Sequence, residues 1–338
     1  HIGIGRGSVV RGRAAIRPVL MASRADLRAF TELEASMTSQ ELPITQDAVT
    51  EKSVLAPSGK SADTENFPVA SCLIAREHRP AVMAFYHFAR AIDDIADSAE
   101  LSPEEKIHRL DGFDAAITGA ITDDPAYEIA HQCRVMLGRT GITHQHCRDL
   151  IDAFRQDAVK TRYQSWDDLI DYCNRSAAPV GRFLLDLHGE DKALYAASDP
   201  LCNALQVINH LQDMQEDYRD LNRVYIAEPD LQAAGLDATV LDTGAMPSGL
   251  RRIVDNMLDK TDDLLRISAT LAPSLQDRRL AMESAAIQAL AVRLSQELRK
   301  RDPLAERVKL NKINMLMTAV TGIVFGGGLF GRHGKAAS

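Results

Sequence analysis

Apolar residues in this chain recur at three- and four-residue intervals from about Glu65 to Leu316, and no run of strand length alternates between apolar and polar. That period gathers apolar side chains on one face of a helix but scatters them over both faces of a strand. In RPAVMAFYHFARAIDDIAD, residues Val82, Phe85, Ala89, Ile92 and Ala96 make one core-facing stripe. SWDDLIDYCNRSAAPVGRFLLDLHG keeps the same period, with Ser165 as an N-cap and Pro179 as a break. Proline has no N–H for the carbonyl four residues back, so the helix must kink or stop there. SDPLCNALQVINHLQDMQEDYRDL is expected to open at Ser198–Asp199–Pro200, a cap followed by a first-turn proline. Two further amphipathic helices begin near Gly249 and Asp277. The expected fold is all-α and single-domain.

The ends read differently. Residues 1–25 hold Arg6, Arg11, Arg13, Arg17 and Arg24 and no acid. They lack the amphipathic period of a transit peptide, so residues 1–60 are expected to be a disordered, uncleaved leader. The folded domain is expected over 61–316. A glycine-rich tail follows over 317–338, without charge as far as Gly331, and is expected to rest loosely on a membrane surface.

The net charge is −8, from 39 basic and 47 acidic residues, which argues against a surface that tracks nucleic-acid phosphates. Five cysteines (Cys72, Cys133, Cys147, Cys173, Cys202) without a CxxC pattern fit a reducing, cytoplasmic compartment. The glycines of residues 3–7 and 326–328 follow no strand, so neither group forms a nucleotide loop. His144, His146 and Cys147 are ligand types, but their i, i+2 spacing points them apart on a helix.

Two helical stretches carry acids four residues apart. Asp93 and Asp97 share a stripe with Arg79, Tyr86 and Arg90; Gln206, Asn209, Asp213, Asp217 and Asp220 form a second stripe. Each set alone could be a solvated face with i,i+4 pairs such as Arg90–Asp94. Together, on facing helices, the carboxylates would repel unless a cation stood between them. Oxygen donors without cysteine select a hard ion, and Mg²⁺ shares phosphate oxygens with its substrate. Arginines on the same stripe can bond the remaining phosphate charge. The residues therefore describe a Mg²⁺–diphosphate cage between two helices.

Over Glu65–Leu316 the chain resembles the squalene/phytoene synthase family. FYHFARAIDDIAD is similar to that family's first aspartate-rich motif, NHLQDMQEDYRDLNRVY to its second, and YCNRSAAPVG to the segment between. ENFPVAS, RSAAPVGR and DPLAERVKL resemble the bacterial hydroxysqualene synthase group within it. The resemblance implies an isoprenoid-synthase-type helical bundle with a central cavity. It implies Mg²⁺ ligation by Asp93, Asp97, Asn209, Asp213 and Asp217, and diphosphate contacts from Tyr86, Arg90 and Arg307. Tyr172 would stand near the reacting carbocation, with Arg90 and the four aspartates sharing the catalysis. Gln206, Ser176, Ala177, Val180, Gly181 and Leu184 would meet the isoprenoid chain, although ordinary helix packing explains any single one of the last five equally well.

The implied activity is Mg²⁺-dependent ionisation of presqualene diphosphate, with rearrangement and water capture. The rivals are a transferase condensing two prenyl diphosphates and a non-catalytic helical scaffold. The partners implied are the prenyl diphosphate, the preceding and following enzymes of the squalene pathway, and the inner face of a membrane. Three positions depart from the wider family pattern: Gln212 stands before Asp213 in place of arginine, Asn222 replaces a glycine before the Arg-x-Tyr of Arg223–Tyr225, and IAEPDL follows in place of an immediate proline. Gln212 is expected to face the cleft and to leave a second diphosphate without a countercharge.

Overall fold

The computed structural model describes residues 73–326. The leader expected over residues 1–60 lies outside them, as does the tail beyond Gly326. Helix α1 (Arg79–Asp97) has a proline in its first turn and buries the predicted stripe. α2 (Pro103–Thr118) starts at Ser102, whose hydroxyl accepts the Glu105 N–H, and stops at Gly119 in the left-handed region. α3 (Glu128–Thr140) and α4 (Gln145–Asp157) complete a group in which α1 packs on α3 and α4.

α5 (Trp166–Ser176) is capped by Ser165 as expected, and the Pro179 break is real: Ala177 leaves helical geometry, and α6 (Ala178–Leu187) restarts with the proline in its first turn. α7 (Tyr195–Gln212) is the central helix, buried at every position from Leu201 to Gln212 and packed against α6, α10 (Ser248–Ser268) and α12 (Arg278–Lys300). Its start differs from the expectation. Asp191 caps a preceding 3₁₀ turn, α7 begins at Tyr195, and Pro200 lies inside the helix. Asp199 is not a cap because its carboxylate takes two bonds from Arg182, at 2.9 and 2.6 Å.

After α7 come α8 (Met214–Leu221), a short α9 (Glu228–Ala233) and α11 (Leu271–Ser274). The described residues also contain two short strands that the helical period does not announce. β1 (Arg162–Tyr163) and β2 (Val224–Ala227) pair in parallel and tie the start of α5 to the end of α8. Residues 317–325 of the expected tail are helical, because α13 (Lys312–Phe325) continues to Phe325 along α12. Small residues permit this contact. A Cβ on Gly322 would stand 2.5 Å from the Ala285 carbonyl oxygen, so only glycine allows the two backbones so close.

Candidate active site

The first acidic motif ends α1, and the second crosses the joint between α7 and α8. Asp213 belongs to neither helix: its φ of −105° and ψ of 12° turn the chain from one to the other. Arginines from three parts of the chain reach these carboxylates. On α1, Arg90 contacts Asp93 at 3.6 Å and Asp94 at 2.6 Å. Burial alone would lower the Arg90 pKa, but these two acids outweigh it and raise it. Arg307, on the segment after α12, approaches Asp213 at 3.5 Å. Arg223, between α8 and β2, lies 3.3 Å from Asp97 and 3.7 Å from Asp157.

The two motifs meet electrostatically. Burial pushes the Asp217 carboxyl up, and the charges of Asp213 and Asp97 add to that push against the opposing Arg223. Asp157, at the end of α4, is raised to about 6 by burial, against the pull of Arg223 and of the Tyr172 hydroxyl. Tyr172 donates to Asp157 at 2.7 Å and is fully buried. Its ring lies in an aromatic group with Tyr163 and Tyr225, and the Tyr225 ring stacks on His210 at 3.4 Å. Burial and then Arg223 lower the His210 pKa, so this imidazole is neutral near pH 7.

Asp93, Asp97, Asp213, Asp217, Arg90 and Arg307 thus belong to one charged assembly. Asn209 is buried on α7 one turn before Asp213. Tyr86 is half-buried, one turn before Arg90 on α1. Ser176, Ala177, Val180 and Leu184 are buried around the α5–α6 break, and Gln206 is buried on α7. Among the described residues, the Ser176 hydroxyl and the Gln206 amide nitrogen have no hydrogen-bond partner. Gly181 lies in the α6–α7 contact, where an added Cβ would come within 2.5 Å of the Ser198 hydroxyl and 2.7 Å of the Cys202 sulfur.

Gln212 does not stand in the cleft. Its amide nitrogen donates to the Val308 carbonyl at 2.6 Å, and both residues are buried. The glycine-to-Asn222 departure also has a structural account, since Asn222 has φ 51°, a left-handed geometry that asparagine tolerates better than most side chains. His146 bonds Asp186 at 2.8 Å, while the Cys147 sulfur faces Cys133 at 3.8 Å.

Sequence reasoning missed Asp157, Arg223, Lys106 and His210. Arg223 had a signal, because it stands immediately before the apolar run Val224–Ala227. Asp157 had none, since it ends an ordinary amphipathic helix. Lys106 on α2 donates to the Ala96 carbonyl at 2.8 Å, and its pKa is lowered by burial and by Arg223.

Among the described residues, no three His, Cys, Asp or Glu side chains converge closely enough to share a metal ion. Arginines lie among the carboxylates instead. The donor chemistry still fits a hard cation: the donors are oxygens, the buried Asp97 Oδ2 has no hydrogen-bond partner among the described residues, and the charges of Asp213 and Asp97 press on buried Asp217.

Comparison with known proteins gives a consistent result. A family model described as squalene/phytoene synthase matches residues 61–314. A hydroxysqualene synthase of Zymomonas mobilis is 44% identical over 267 residues, covering 77% of this chain and 87% of that one. One from Rhodopseudomonas palustris is 44% identical over 264 residues, covering 78% and 89%. The crystal structure of a squalene synthase from Alicyclobacillus acidocaldarius aligns with TM-score 0.60 and 31% identity over 70% of this chain and 88% of that one.

Proposed function

Since this chain belongs to the squalene/phytoene synthase family, we propose that it is a hydroxysqualene synthase, which ionises presqualene diphosphate and releases hydroxysqualene and diphosphate. The observation that carries this reading is the joint of α7 and α8, where Asp213 and Asp217 meet Asp97 of α1 and arginines enter from separate segments, in a chain 44% identical to enzymes of that name.

Asp93, Asp97, Asn209, Asp213 and Asp217 would hold Mg²⁺, which when bound withdraws charge from a leaving diphosphate. Arg90 and Arg307 bond the diphosphate oxygens and stabilise the charge that grows as the carbon–oxygen bond breaks. Substrate oxygens would take over arginine bonds now given to carboxylates, and the long 3.5 Å contact of Arg307 is suited to that exchange. Tyr172 is held by Asp157 with its ring toward the buried aromatic group, where a π face steadies positive charge on the rearranging hydrocarbon. The apolar residues around the α5–α6 break exclude bulk water, and one admitted water captures the cation and gives up a proton to the released diphosphate, leaving the alcohol.

Pure protein supplied separately with presqualene diphosphate and farnesyl diphosphate in ¹⁸O-water tests the reading. The expected product is a labelled alcohol from presqualene diphosphate alone. Presqualene diphosphate made from farnesyl diphosphate at a comparable rate would move the assignment to the transferase. Activity should vanish with chelator, and Asp93→Ala or Asp213→Ala should lower turnover about 10²-fold. Full turnover in chelator would remove the metal from the mechanism.

Membrane contact is part of the same proposal. Among the described residues no helix is long and apolar enough to cross a membrane. The outer face of α13 nevertheless exposes Ile313, Leu316, Met317, Val320 and Phe325, the first and last at 74% and 83%. Beyond Glu306 the chain has five Lys and Arg and no acid. A helix with such a face lies in the plane of an anionic leaflet, beside the place where a C30 substrate and product dissolve. Leu316→Glu with Val320→Glu should abolish flotation with anionic vesicles; unchanged flotation would end the idea.

A further inference from the structure

We infer that Gln212 is a positioning residue, which fastens the segment after α12 so that Arg307 stays in the site; the kinetic part of this inference rests on the function proposed above. The geometry is a two-point clamp. Gln212 and Asp213 are consecutive at the end of α7, and they meet Val308 and Arg307, consecutive on the strap that links α12 to α13. The first pair is a 2.6 Å bond from the Gln212 amide to the Val308 carbonyl. The second is the 3.5 Å approach of Arg307 to Asp213.

The first contact is short and buried, the second long and partly open. Val308 is wholly buried, so its carbonyl would be left without a donor if the amide were removed, a costly arrangement. Arg307 is 29% exposed, and it has another place to go. Beside the strap lies a cleft of about 330 Å³, lined by Glu297, Arg301, Arg307, Lys309 and Asn311 among others. A guanidinium tied only by the 3.5 Å contact would exchange between that cleft and the site. With the backbone one residue away held by Gln212, the arginine has a short reach to Asp213 and to whatever anion binds beside it.

Other bonds hold the strap elsewhere but not at this point. Arg301 makes two 2.7 Å bonds to Glu306 and a 3.3 Å bond to the Lys309 carbonyl. Asp302 accepts the Met246 and Leu304 N–H groups at 2.7 and 2.8 Å. Among the described residues, Gln212 supplies the side-chain bond between this part of the strap and the helix that carries the second acidic motif. Its amide oxygen is buried with no partner among them, which is consistent with a side chain selected for what its nitrogen does.

The test uses Gln212→Met, which keeps the volume and deletes the donor, and Arg307→Gln, alone and combined. Hydrogen exchange of residues 303–310 should quicken at least tenfold in Gln212→Met, while α1 and α10 keep their protection. Binding of inorganic diphosphate with Mg²⁺, followed by calorimetry, should weaken about tenfold. KM for presqualene diphosphate should rise by a similar factor with kcat within about twofold of native, because the arginine is displaced and not removed. In the Arg307→Gln background the same change should cost less than twofold more. Unchanged exchange in the strap, or losses that multiply in the double variant, would overturn the inference. Should Gln212→Met loosen the whole molecule, Gln212→Asn, which keeps an amide but draws it back, faces the same two outcomes. The exchange arm needs no turnover, so it decides the clamp even if the proposed reaction is wrong.

Discussion

Two polar networks are built into this helical core, and they differ in how tightly they close. Between α4, α6 and α7, Asp186 receives the Tyr195 hydroxyl at 2.6 Å and faces the His146 ring nitrogen at 2.8 Å, while Arg182 holds Asp199 with bonds of 2.9 and 2.6 Å. Under the acidic motifs the contacts of Arg223 and Arg307 with Asp97, Asp157 and Asp213 run from 3.3 to 3.7 Å. There Asp97 Oδ2, Asp157 Oδ1, Arg223 Nε and His210 Nε2 are all buried without hydrogen-bond partners among the described residues; in the first network the corresponding orphan is His146 Nδ1. A network with short bonds and few orphans is finished by folding. One with long contacts and many buried, unsatisfied charges has capacity left for a ligand's charge.

The contrast can be broken by substituting one arginine and one aspartate. Arg223→Met leaves Asp97 and Asp157 buried without their cation, and losing one partner of a buried pair costs ~3–5 kcal/mol. It should unfold at markedly lower denaturant concentration, and the midpoint of a urea titration measures this. Asp186→Asn removes the charge from two short bonds in the closed network, for a loss of about 1–3 kcal/mol. Its folded fraction should keep native kcat and KM. A change in kinetic constants there would erase the distinction between the two networks.

The helices and their caps were legible because they depend on near neighbours: Ser165, the Pro179 break and the α1 stripe all follow from local spacing. Both acidic motifs were legible for the same reason, each being an i,i+4 pattern within one stretch. What joins them was not. Asp157 and Arg223 meet across 66 residues, and Gln212 and Val308 across 96, with no periodic signal at either end. Gln212 shows the cost of reading charge without contacts. Its neutral side chain suggested a missing cation in the cleft, whereas tertiary packing turned it toward the strap. Pro200 misled in the opposite way. Its local pattern was a good helix start, but the Asp191-capped turn begins the helix earlier, and Asp199 is taken by Arg182.

Glu283 asks whether buried strain by itself marks function. It lies on α12, far along the chain from both acidic motifs, and is 2% exposed. Burial first, and then the charge of Asp277, raises its carboxyl to about 8 from an ordinary 4.5. Between those two values the folded chain keeps a proton that the unfolded chain has lost, so stability falls as pH rises through that window and levels off above it, by at most ~1.4 kcal/mol per pH unit. Glu283→Gln is neutral throughout and removes that slope. The variant should match native stability near pH 4.5 and exceed it above pH 8, as thermal melts at a series of pH values will measure. Its kcat and KM at pH 7 should be native, because no substrate or ligand charge is needed to relieve this site. A flat native profile would mean that Glu283 is solvated or paired in solution. Altered kinetic constants with an intact fold would mean that the α12 end of the bundle is coupled to the acidic motifs, and that the open network extends further than the long contacts around Arg223 indicate.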